Sequence, residues 1–402
     1  MNKYKVGGCV RDKLLDYDYT EIDWVVVGST PQDLLDKGFL QVGSGFPVFL
    51  HPQTKEEYAL ARTERKSGVG YKGFEFFTDV NVTLEEDLSR RDLTINAMAE
   101  DSDGNIIDPY GGQKDLSQKI LRHVSDAFLE DPLRILRVAR FAARYHHLGF
   151  KVADETLSLM AHISDSGELV HLAAERVWVE TNKALQEKTP SIYIEVLRQC
   201  NALSKLFPEI DRLFNVPQSM SKANTGMHTL LSLDYSAALD NDPSTRFAVL
   251  IGNVGKGIDA ACIEQHNEDV NIKIVHDLCN RLKTPNRYRE IATAVTKYRS
   301  FCHNSRSLDP STIVEMFKGV GAFKASSNLI QFVSCCEADA NASKESRAAS
   351  YDAGIWLIKV FNEIQLVDNK ALMKKGFSGE QLGQEIDRCR EQIIAKLIEK
   401  KF

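Results

Sequence analysis

The sequence lacks the features that mark secreted and membrane proteins. Its eight cysteines among 402 residues form no CxxC pair and no zinc-binding spacing, and Cys335 and Cys336 are adjacent, which suits neither a disulfide framework nor a metal site. The first residues carry no apolar signal core, and no apolar run is long enough to span a membrane. We therefore expect a protein of the reducing cytoplasm, with mostly buried thiols and no membrane partner.

The sequence also lacks an excess of positive charge. Its formal net charge is −6, which argues against non-specific binding of nucleic acid, although a local basic groove could still bind phosphates. The apolar content of 43% and the charged content of 26% are typical of a globular protein. The length suffices for roughly two or three domains. The sequence shows no internal repeat, and no low-complexity linker marks a boundary between domains.

A short apolar strand with two acidic residues at its entrance is the first informative segment. Residues 25–27 are three valines, and Gly28 ends the run. Glu21 and Asp23 are two residues apart, so on a strand they share a face. Neighbouring carboxylates are unfavourable without a cation between them, and Mg²⁺ prefers such oxygen ligands. The pair is therefore a candidate Mg²⁺ site, and the alternative is an ordinary polar strand start.

A pair of glycines precedes this strand. Gly7 and Gly8 are predicted to open a helix, where a backbone without side chains can approach a ligand and free N–H groups can face an anion. Arg11 follows Gly8 by three residues and could reach the same phosphates. The alternative is an ordinary tight turn, but the nearby acid pair favours a phosphate-binding turn beside a metal site.

Two further segments of the first third are basic. Residues 62–73 are punctuated by glycine, which predicts a mobile loop, with a solvated hairpin tip as the alternative. Residues 87–99 begin with charge and are predicted to continue as an apolar helix. Within them, Arg91 is a candidate for triphosphate contact, because a guanidinium can bind phosphate through two hydrogen bonds. Asp92 is expected either to contact a ribose or to form a local cap or salt bridge.

A helix predicted to begin at Pro132 carries a row of arginines. Pro132 suits the first helical position, with Asp131 before it as the N-cap. Arg134, Arg137 and Arg140 recur every third residue and drift slowly round one side of the helix. The alternative is a solvated face, but such faces usually mix acidic and basic residues, whereas this one carries arginine alone. We interpret the row as unpaired and as the binding surface of an anionic ligand.

As a set, these motifs resemble the class II tRNA nucleotidyltransferases, the CCA-adding enzymes, of the bacterial type with a C-terminal HD-type domain. The resemblance covers about the first half of the chain and rests on five segments: Gly7-Gly8 with Arg11, Glu21-x-Asp23, Arg90-Arg91-Asp92, Glu130-Asp131-x-x-Arg134, and Glu175-Arg176-Val177-Trp178. Many members have Asp-x-Asp where this chain has Glu21-Ile22-Asp23. A working site is still expected, because glutamate also offers two oxygens.

The resemblance implies an α+β fold. Its N-terminal head is of the polymerase-β nucleotidyltransferase type, with a mixed sheet and helices, and an all-α neck, body and tail follow. The implied domains are a head at residues 1–138, a neck with base-selection elements at 139–215, and a body and tail at 216–402. A degenerate HD-like domain is expected at about 226–330.

The implied activity is template-independent addition of C, C and A to the 3′ end of tRNA from CTP and ATP, with release of pyrophosphate. Glu21 and Asp23 are implied to hold Mg²⁺, and the triphosphate is implied to be positioned by Gly8, Arg11, Arg91, Arg137 and Arg140. Cytosine and adenine both present an amino donor beside a ring-nitrogen acceptor, which matches Asp131 as acceptor and Arg134 as donor. The partners are the tRNA acceptor end, CTP and ATP, and a monomer is expected, with a homodimer as the alternative.

The second half is informative through missing ligands. Residues 141–215 are expected to be helical, with Glu175 and Arg176 orienting the arginine helix or forming an exposed ion pair. HD phosphohydrolases bind metal through a His, a His-Asp pair and a later acid. His228 resembles the first ligand, but Gly252-Asn253 stands where the pair would be, and neither residue is a good ligand. We therefore expect no phosphohydrolase activity.

Four alternative functions remain open. A bacterial poly(A) polymerase shares the head motifs, but such enzymes resemble a Gly-Arg-Arg-Phe pattern where this chain has residues 43–46, Gly-Ser-Gly-Phe. A partial enzyme adding only A is the second alternative, while the 62–73 loop disfavours a CC-only enzyme. A non-catalytic RNA-binding protein is disfavoured by the acid pair, and an HD-type hydrolase by Gly252-Asn253.

Overall fold

The computed structural model of the protein describes residues 1–19, 21–42, 48–66, 74–77, 79–217, 224–239, 242–257, 268–342 and 350–399. It divides into two compact units, which are unit 1 (Met1–Ala184 and Ile192–Leu206) and unit 2 (Leu185–Ser191 and Phe207–Phe402). All strands of the described residues lie in unit 1, and helices alone follow them, which confirms the predicted α+β class. The finer boundaries at 138/139 and 215/216, and the HD-like domain, stay predictions. No helix in the described ranges is long and apolar enough to cross a membrane.

A mixed seven-stranded sheet forms the centre of unit 1. Its strands, in chain order, are β1 (Asn2–Val6), β2 (Asp23–Val27), β3 (Leu40–Val42), β4 (Val48–Leu50), β5 (Glu57–Leu60), β8 (Ala99–Glu100) and β9 (Ile106–Ile107). Their spatial order is β3-β4-β5-β2-β1-β8-β9, and β2 runs parallel to β5 but antiparallel to β1. Val25 and Val26 belong to separate hydrophobic clusters. The valine run of β2 is therefore buried on both faces of the sheet, as predicted.

Among the described residues, this part of the chain also contains two small sheets and nine α-helices. The small sheets pair β6 (Thr63–Lys66) with β7 (Phe74–Phe77) and β10 (Ile120–Leu121) with β11 (Lys151–Val152). The helices are α1 (Gly8–Leu14), α2 (Pro31–Asp36), α3 (Leu84–Ser89), α4 (Gly112–Gln118), α5 (Leu133–Tyr145), α6 (Asp154–Asp165), α7 (Ala174–Leu185), α8 (Ser191–Gln199) and α9 (Ala202–Leu206). Ten helices follow, namely α10 (Pro208–Asp211), α11 (Thr225–Leu239), α12 (Pro243–Ile251), α13 (Glu268–Leu282), α14 (Asn286–His303), α15 (Pro310–Gly319), α16 (Ser326–Asn341), α17 (Asp352–Ile364), α18 (Asn369–Lys374) and α19 (Gly379–Glu399).

The predicted helix over residues 87–99 is wrong. Helix α3 ends at Ser89, a 3₁₀ turn occupies Thr94–Asn96, and β8 follows. The reason is side-chain competition for the backbone: the Asp92 carboxylate accepts the backbone N–H of Leu93 at 2.8 Å and the Asn96 side-chain amide at 2.9 Å. Short polar side chains that bond locally in this way favour turns over helix.

Three other boundaries differ from the sequence predictions. The segment predicted as a loop at 62–73 contains strand β6, which pairs antiparallel with β7, while residues 67–73 lie outside the described residues. Strand β2 starts at Asp23 and excludes Glu21, because the β1–β2 ladder ends where Val6 pairs with Asp23. Helix α5 is assigned from Leu133, one residue after Pro132.

Candidate active site

The acid pair stands at the open end of β2. Both Glu21 and Asp23 are solvent-exposed, and neither carboxylate makes a hydrogen bond or salt bridge with a described residue. The pKa of Asp23 lies above its ordinary value. Partial desolvation by the surrounding protein raises it, the charge of Arg91 lowers it, and the charge of Glu21 raises it. The repulsion from Glu21 means that a cation bound between the carboxylates would be stabilised.

The donor set fits a hard divalent ion that also binds substrate. Among the described residues, no group of three or more His, Cys, Asp or Glu side chains could hold a metal by itself. Mg²⁺ commonly uses only one or two carboxylates, with water and substrate phosphates as its other ligands. Glu21 and Asp23 therefore suit a site that a bound triphosphate completes.

The glycine turn lies against a cation. Gly7 has a positive φ of 71°, and its N–H donates to the carbonyl of Met98. A Cβ at this position would lie 2.8 Å from Nη1 of Arg91, so the absence of a side chain lets this guanidinium approach the backbone. At Gly8 a Cβ would meet only Nη2 of Arg11, at 3.6 Å. The turn therefore requires glycine at position 7, whereas position 8 has room for a methyl group.

Arg11 is a buried anchor beneath this turn. Its Nε and Nη2 donate to the two oxygens of Asp12 at 2.8 and 2.9 Å, and its Nη1 donates to Oδ1 of Asn96. The guanidinium also lies over the rings of Phe141 and Tyr145, with centroids at 5.1 and 5.3 Å. The structure thus places Arg11 beside Gly8, as predicted, but commits its three nitrogens to protein partners.

Arg91 is the cation best placed for an incoming phosphate. Its Nη2 donates to Asp87 at 3.3 Å and its Nη1 to the carbonyl of Asn96 at 3.4 Å, while its Nε is buried with no hydrogen-bond partner among the described residues. A buried donor without a partner is costly, so a ligand that accepts this hydrogen would be favoured. Asp87 is fully buried and also binds Arg90; burial raises the pKa of its carboxyl, but Arg90 and Arg91 overcome this and hold it below its usual range.

The interpretation of the arginine row as unpaired is wrong. Nε of Arg137 donates to Asp92 at 2.7 Å, and Nε of Arg140 donates to Glu180 at 2.6 Å. The periodicity of a helix identifies only contacts between residues three or four positions apart. Asp92 and Glu180 are 45 and 40 positions from their arginine partners, so periodicity could not identify them. The pKa of Asp92 is held well below its usual range, because Arg137, Asn96 and a backbone N–H outweigh the effect of burial. Of its two predicted roles, the structure displays the local one.

The predicted base-selection pair is held by protein contacts on all sides. Asp131 accepts the backbone N–H of Leu133 at 3.0 Å, as an N-cap would, and Nη2 of Arg176 at 2.9 Å. Arg134 donates from Nη1 to the carbonyl of Ala127 and from Nη2 to the carbonyl of Arg90, both at 2.6 Å. These bonds fix the orientation of both side chains. Arg176 therefore contacts the cap of the arginine helix, in line with the orienting role predicted for it.

Several positioning residues were missed from the sequence. Asp87 lies three and four residues before Arg90 and Arg91, so helical spacing alone could have identified it. Asp12 is adjacent to Arg11 in the sequence, a separation that helical periodicity does not mark as a contact. Glu180 has no such signal, since its arginine partner lies 40 positions earlier.

In unit 2, His228 is part of a separate cluster of polar side chains around Asp339. Its Nε2 lies 3.1 Å from Oδ1 of Asp339, whose Oδ2 lies 3.1 Å from Nε2 of His303 and 3.5 Å from Nε of Arg299. The pKa of Asp339 is held far below its usual range, because Arg299 and the two histidines overcome its burial. His266, an isolated histidine of this region, lies outside the described residues.

The replacement dipeptide Gly252-Asn253 cannot supply the missing ligands. A Cβ at Gly252 would lie 2.9 Å from the carbonyl oxygen of Ala248 and 3.0 Å from Cγ1 of Val295, so a histidine would require a backbone shift. The side-chain amide of Asn253 donates to Thr229 at 3.2 Å instead.

Comparison with known proteins agrees with this geometry. Residues 3–122 match a family model described as a poly(A) polymerase head domain, and residues 149–214 match one described as a probable RNA and SrmB binding site of polymerase A. A relative from Teredinibacter turnerae, named multifunctional CCA protein, is 48% identical over 99% of this chain and 98% of its own length.

Solved structures share the fold. The Bacillus stearothermophilus CCA-adding enzyme in complex with CTP is 22% identical, with a TM-score of 0.66 over 98% of this chain and 89% of its own. The Thermotoga maritima CCA-adding enzyme complexed with tRNA is 20% identical, with a TM-score of 0.65 over 98% of this chain and 91% of its own. Because each comparison covers 98% of this chain, the similarity of fold includes residues of unit 1 and of unit 2.

Proposed function

Since the chain belongs to the family of CCA-adding tRNA nucleotidyltransferases, we propose that it adds C, C and A to the 3′ end of tRNA without a nucleic-acid template. The observation that carries this proposal is the convergence of Asp23, Arg91 and Gly7 at the open end of β2. Among the described residues, the two carboxylates have no hydrogen-bond or salt-bridge partner, and neither has Nε of the neighbouring Arg91 guanidinium. A cation could bind the two carboxylates, and an anionic substrate could accept a hydrogen bond from the guanidinium.

Nucleotidyltransferases of this kind use divalent metals, and Glu21 and Asp23 would hold Mg²⁺. A divalent ion bound there would acidify the 3′-hydroxyl of the RNA and neutralise charge on the triphosphate as pyrophosphate leaves. Arg91 binds the triphosphate through its free donor. Asp92 and Glu180 pair with Arg137 and Arg140, so these two arginines would contact the triphosphate only through donors that the acids do not use. Arg11 contributes indirectly, since it lies beneath the glycine turn and contacts protein partners.

Asp131 and Arg134 select the base. An acceptor beside a donor complements cytosine and adenine, while guanine and uracil present the reversed order and would match neither side chain. Rejection by unpaired buried polar groups reaches about 10⁴-fold. Because Arg176 and two backbone carbonyls fix the pair, it is oriented before a nucleotide binds.

The decisive experiment uses tRNA transcripts that end before CC, after C and after CC. Each is incubated with CTP, ATP or both, and product lengths are read on a gel. Addition of the missing residues followed by a stop supports the proposal. Long homopolymer tails would favour a poly(A) polymerase, and addition of A alone a partial enzyme. The Asp23→Asn variant, which keeps the size of the side chain, should lose transfer while its unfolding curve stays close to that of the wild type.

The cluster around Asp339 has no phosphohydrolase activity in this proposal. Arg299 already neutralises the carboxylate that a metal would need, and Gly252-Asn253 provides no ligand to replace it. The measurement is phosphate release from 2′,3′-cyclic nucleotides or pyrophosphate with added Ni²⁺ or Mg²⁺. Sustained turnover would contradict this assignment.

We assign the protein to the cytoplasm, acting as a monomer on the tRNA acceptor end. The seven cysteines among the described residues are free thiols, and six of them are buried, which suits a reducing compartment.

A further inference from the structure

A basic groove between three helices of unit 2 is used by none of the chemistry described above. It has a volume of about 690 Å³ and lies between α14, the end of α15 and the start of α16. Its cationic lining residues are Arg287, Arg289, Lys297, Lys318 and Lys324. Pockets of this size commonly hold a small ligand or a segment of one.

The groove has more basic than acidic side chains, although the chain as a whole is acidic. One acid, Glu290, lines it, and two more neutralise rim cations from outside: Asp242 pairs with Arg287, and Asp387 with Lys318. Within the described ranges, five cations of the groove therefore face three acids, whereas the whole chain has a formal net charge of −6. A local field of this sign attracts anions despite the overall charge.

Two of the cations have no acidic partner among the described residues. Arg289 donates only to the neutral side chains of Asn280, at 3.2 Å, and Asn286, at 2.6 Å. Lys324 is exposed, and its amine has no hydrogen bond or ion pair within the described ranges. Neutral partners orient the Arg289 guanidinium without cancelling its charge, so it remains able to bind an anion.

The wall of the groove suits close approach of a ligand. Gly319 packs on the ring of Tyr298, where a Cβ would lie 2.2 Å from the tyrosine hydroxyl, and Gly321 has a positive φ of 75°. Lys297 lies 5.0 Å from the centroid of the same ring. Because the Tyr298 ring is buried beneath Gly319, the wall offers a ligand glycine backbone and cations rather than an aromatic face.

We propose that this α14–α16 groove is a phosphate-binding site that takes either the phosphodiester backbone of RNA or the polyphosphate of a free nucleotide. The two sources share the chemistry that Arg289 and Lys324 recognise. The RNA source rests on the proposed function, because tRNA is then the substrate at hand, whereas the nucleotide source does not.

The test compares two double variants of the full-length chain. Arg289→Gln with Lys324→Gln removes the two cations of the groove that lack acidic partners. Lys370→Gln with Lys396→Gln removes two exposed cations from α18 and α19 and serves as the charge-matched control. Arg289→Lys with Lys324→Arg keeps the charge and should retain binding.

The first arm measures tRNA affinity by fluorescence anisotropy between 50 and 200 mM salt. The groove variant should bind tRNA several-fold more weakly, and the slope of log Kd against log salt should fall by about two, since each lost phosphate contact removes about one. The second arm measures binding of labelled pyrophosphate by equilibrium dialysis in EDTA, which suppresses metal-dependent binding at Glu21 and Asp23.

Each outcome decides the proposal. Loss of tRNA affinity in the groove variant alone identifies RNA as the ligand, and loss of pyrophosphate binding alone identifies a free nucleotide or polyphosphate. Unchanged binding of both ligands, or an equal loss in the Lys370/Lys396 control, would overturn it. Failure of the wild type to extend tRNA would reject the proposed function but leave both binding measurements interpretable.

Discussion

Arg176 donates from Nη2 to Oδ2 of Asp131 over 2.9 Å, and this contact ties α7 to the start of the arginine helix α5. The other oxygen of Asp131 accepts the backbone N–H of Leu133. One turn further along α7, Glu180 accepts Nε of Arg140 at 2.6 Å. One helix therefore holds a candidate base-selection residue and a candidate triphosphate contact at the same time.

Replacing Arg176 should affect nucleotide choice more than stability. Its ion pair with Asp131 is partly exposed, and such pairs contribute about 1 kcal/mol or less. Arg176→Gln should lower kcat/KM for CTP and ATP about tenfold, the equivalent of about 1.4 kcal/mol, because Asp131 loses its fixed orientation. UTP and GTP incorporation should rise relative to the wild type. Single-nucleotide addition to tRNA transcripts measures both effects.

The control for this prediction is Arg176→Lys, which keeps a cation near Asp131 and should recover part of the discrimination. Equal discrimination by the glutamine variant and the wild type would show that Asp131 does not depend on Arg176.

Replacing Glu180 should destabilise the protein. Glu180 and Arg140 are both buried, at 4% and 7% exposure, so Glu180→Ala leaves an uncompensated buried charge. Removal of one partner of a buried pair costs about 3–5 kcal/mol. Urea denaturation measures the change, and Glu175→Ala, an exposed position on the same helix, should cost much less. A loss below about 1 kcal/mol for Glu180→Ala would contradict a structural role of the pair.

Local sequence patterns pointed to the candidate site but not to the contacts that hold its side chains. The acid pair, the glycine turn and the arginine spacing are short-range signals, and each lies in the part of the fold that the motifs predict. The acidic partners of the arginine row are not short-range, because Arg137 contacts Asp92 across 45 positions and Arg140 contacts Glu180 across 40. Periodicity on one helix carries no information about such pairs, which explains why the row was interpreted as unpaired.

The same limit explains the wrong helix at 87–99. The charged start and apolar continuation of this segment satisfy a helical pattern. Asp92 and Asn96 instead bond to each other and to the backbone, and Arg137 completes the arrangement from another helix. Tertiary contacts of this kind override propensity and are invisible before the fold is known.

Gly7→Ala should damage the site, whereas Gly8→Ala should leave the fold intact. At position 7 a Cβ would combine a positive φ of 71° with a distance of 2.8 Å to Nη1 of Arg91. Strain of this kind costs of order 1–3 kcal/mol, and a displaced Arg91 should raise KM for CTP. At position 8 the nearest atom, Nη2 of Arg11, is 3.6 Å away, which is an ordinary contact.

Thermal unfolding and CTP kinetics of the two alanine variants provide the comparison. A stability loss at position 8 equal to that at position 7 would remove the distinction between them. Normal CTP kinetics for Gly7→Ala would show that the close approach of Arg91 to the turn is dispensable.

The stability of the protein should fall in acid through Asp87 and Asp92. Burial raises the pKa of both carboxyls, but Arg90 and Arg91 overcome it at Asp87, and Arg137 does so at Asp92, so both pKa values lie below the ordinary range. The unfolded chain binds these protons at about pH 4 and the folded chain only at lower pH. The two ionised carboxylates therefore contribute fully to the free energy of unfolding above about pH 4, and this contribution is lost as the pH falls further.

Urea midpoints measured from pH 7 to pH 3 should decline most steeply at the acidic end. Asp92→Asn, which cannot be protonated in this range, should be less stable at pH 7 and show a shallower decline, and a profile parallel to that of the wild type would exclude Asp92 as a source of the acid sensitivity.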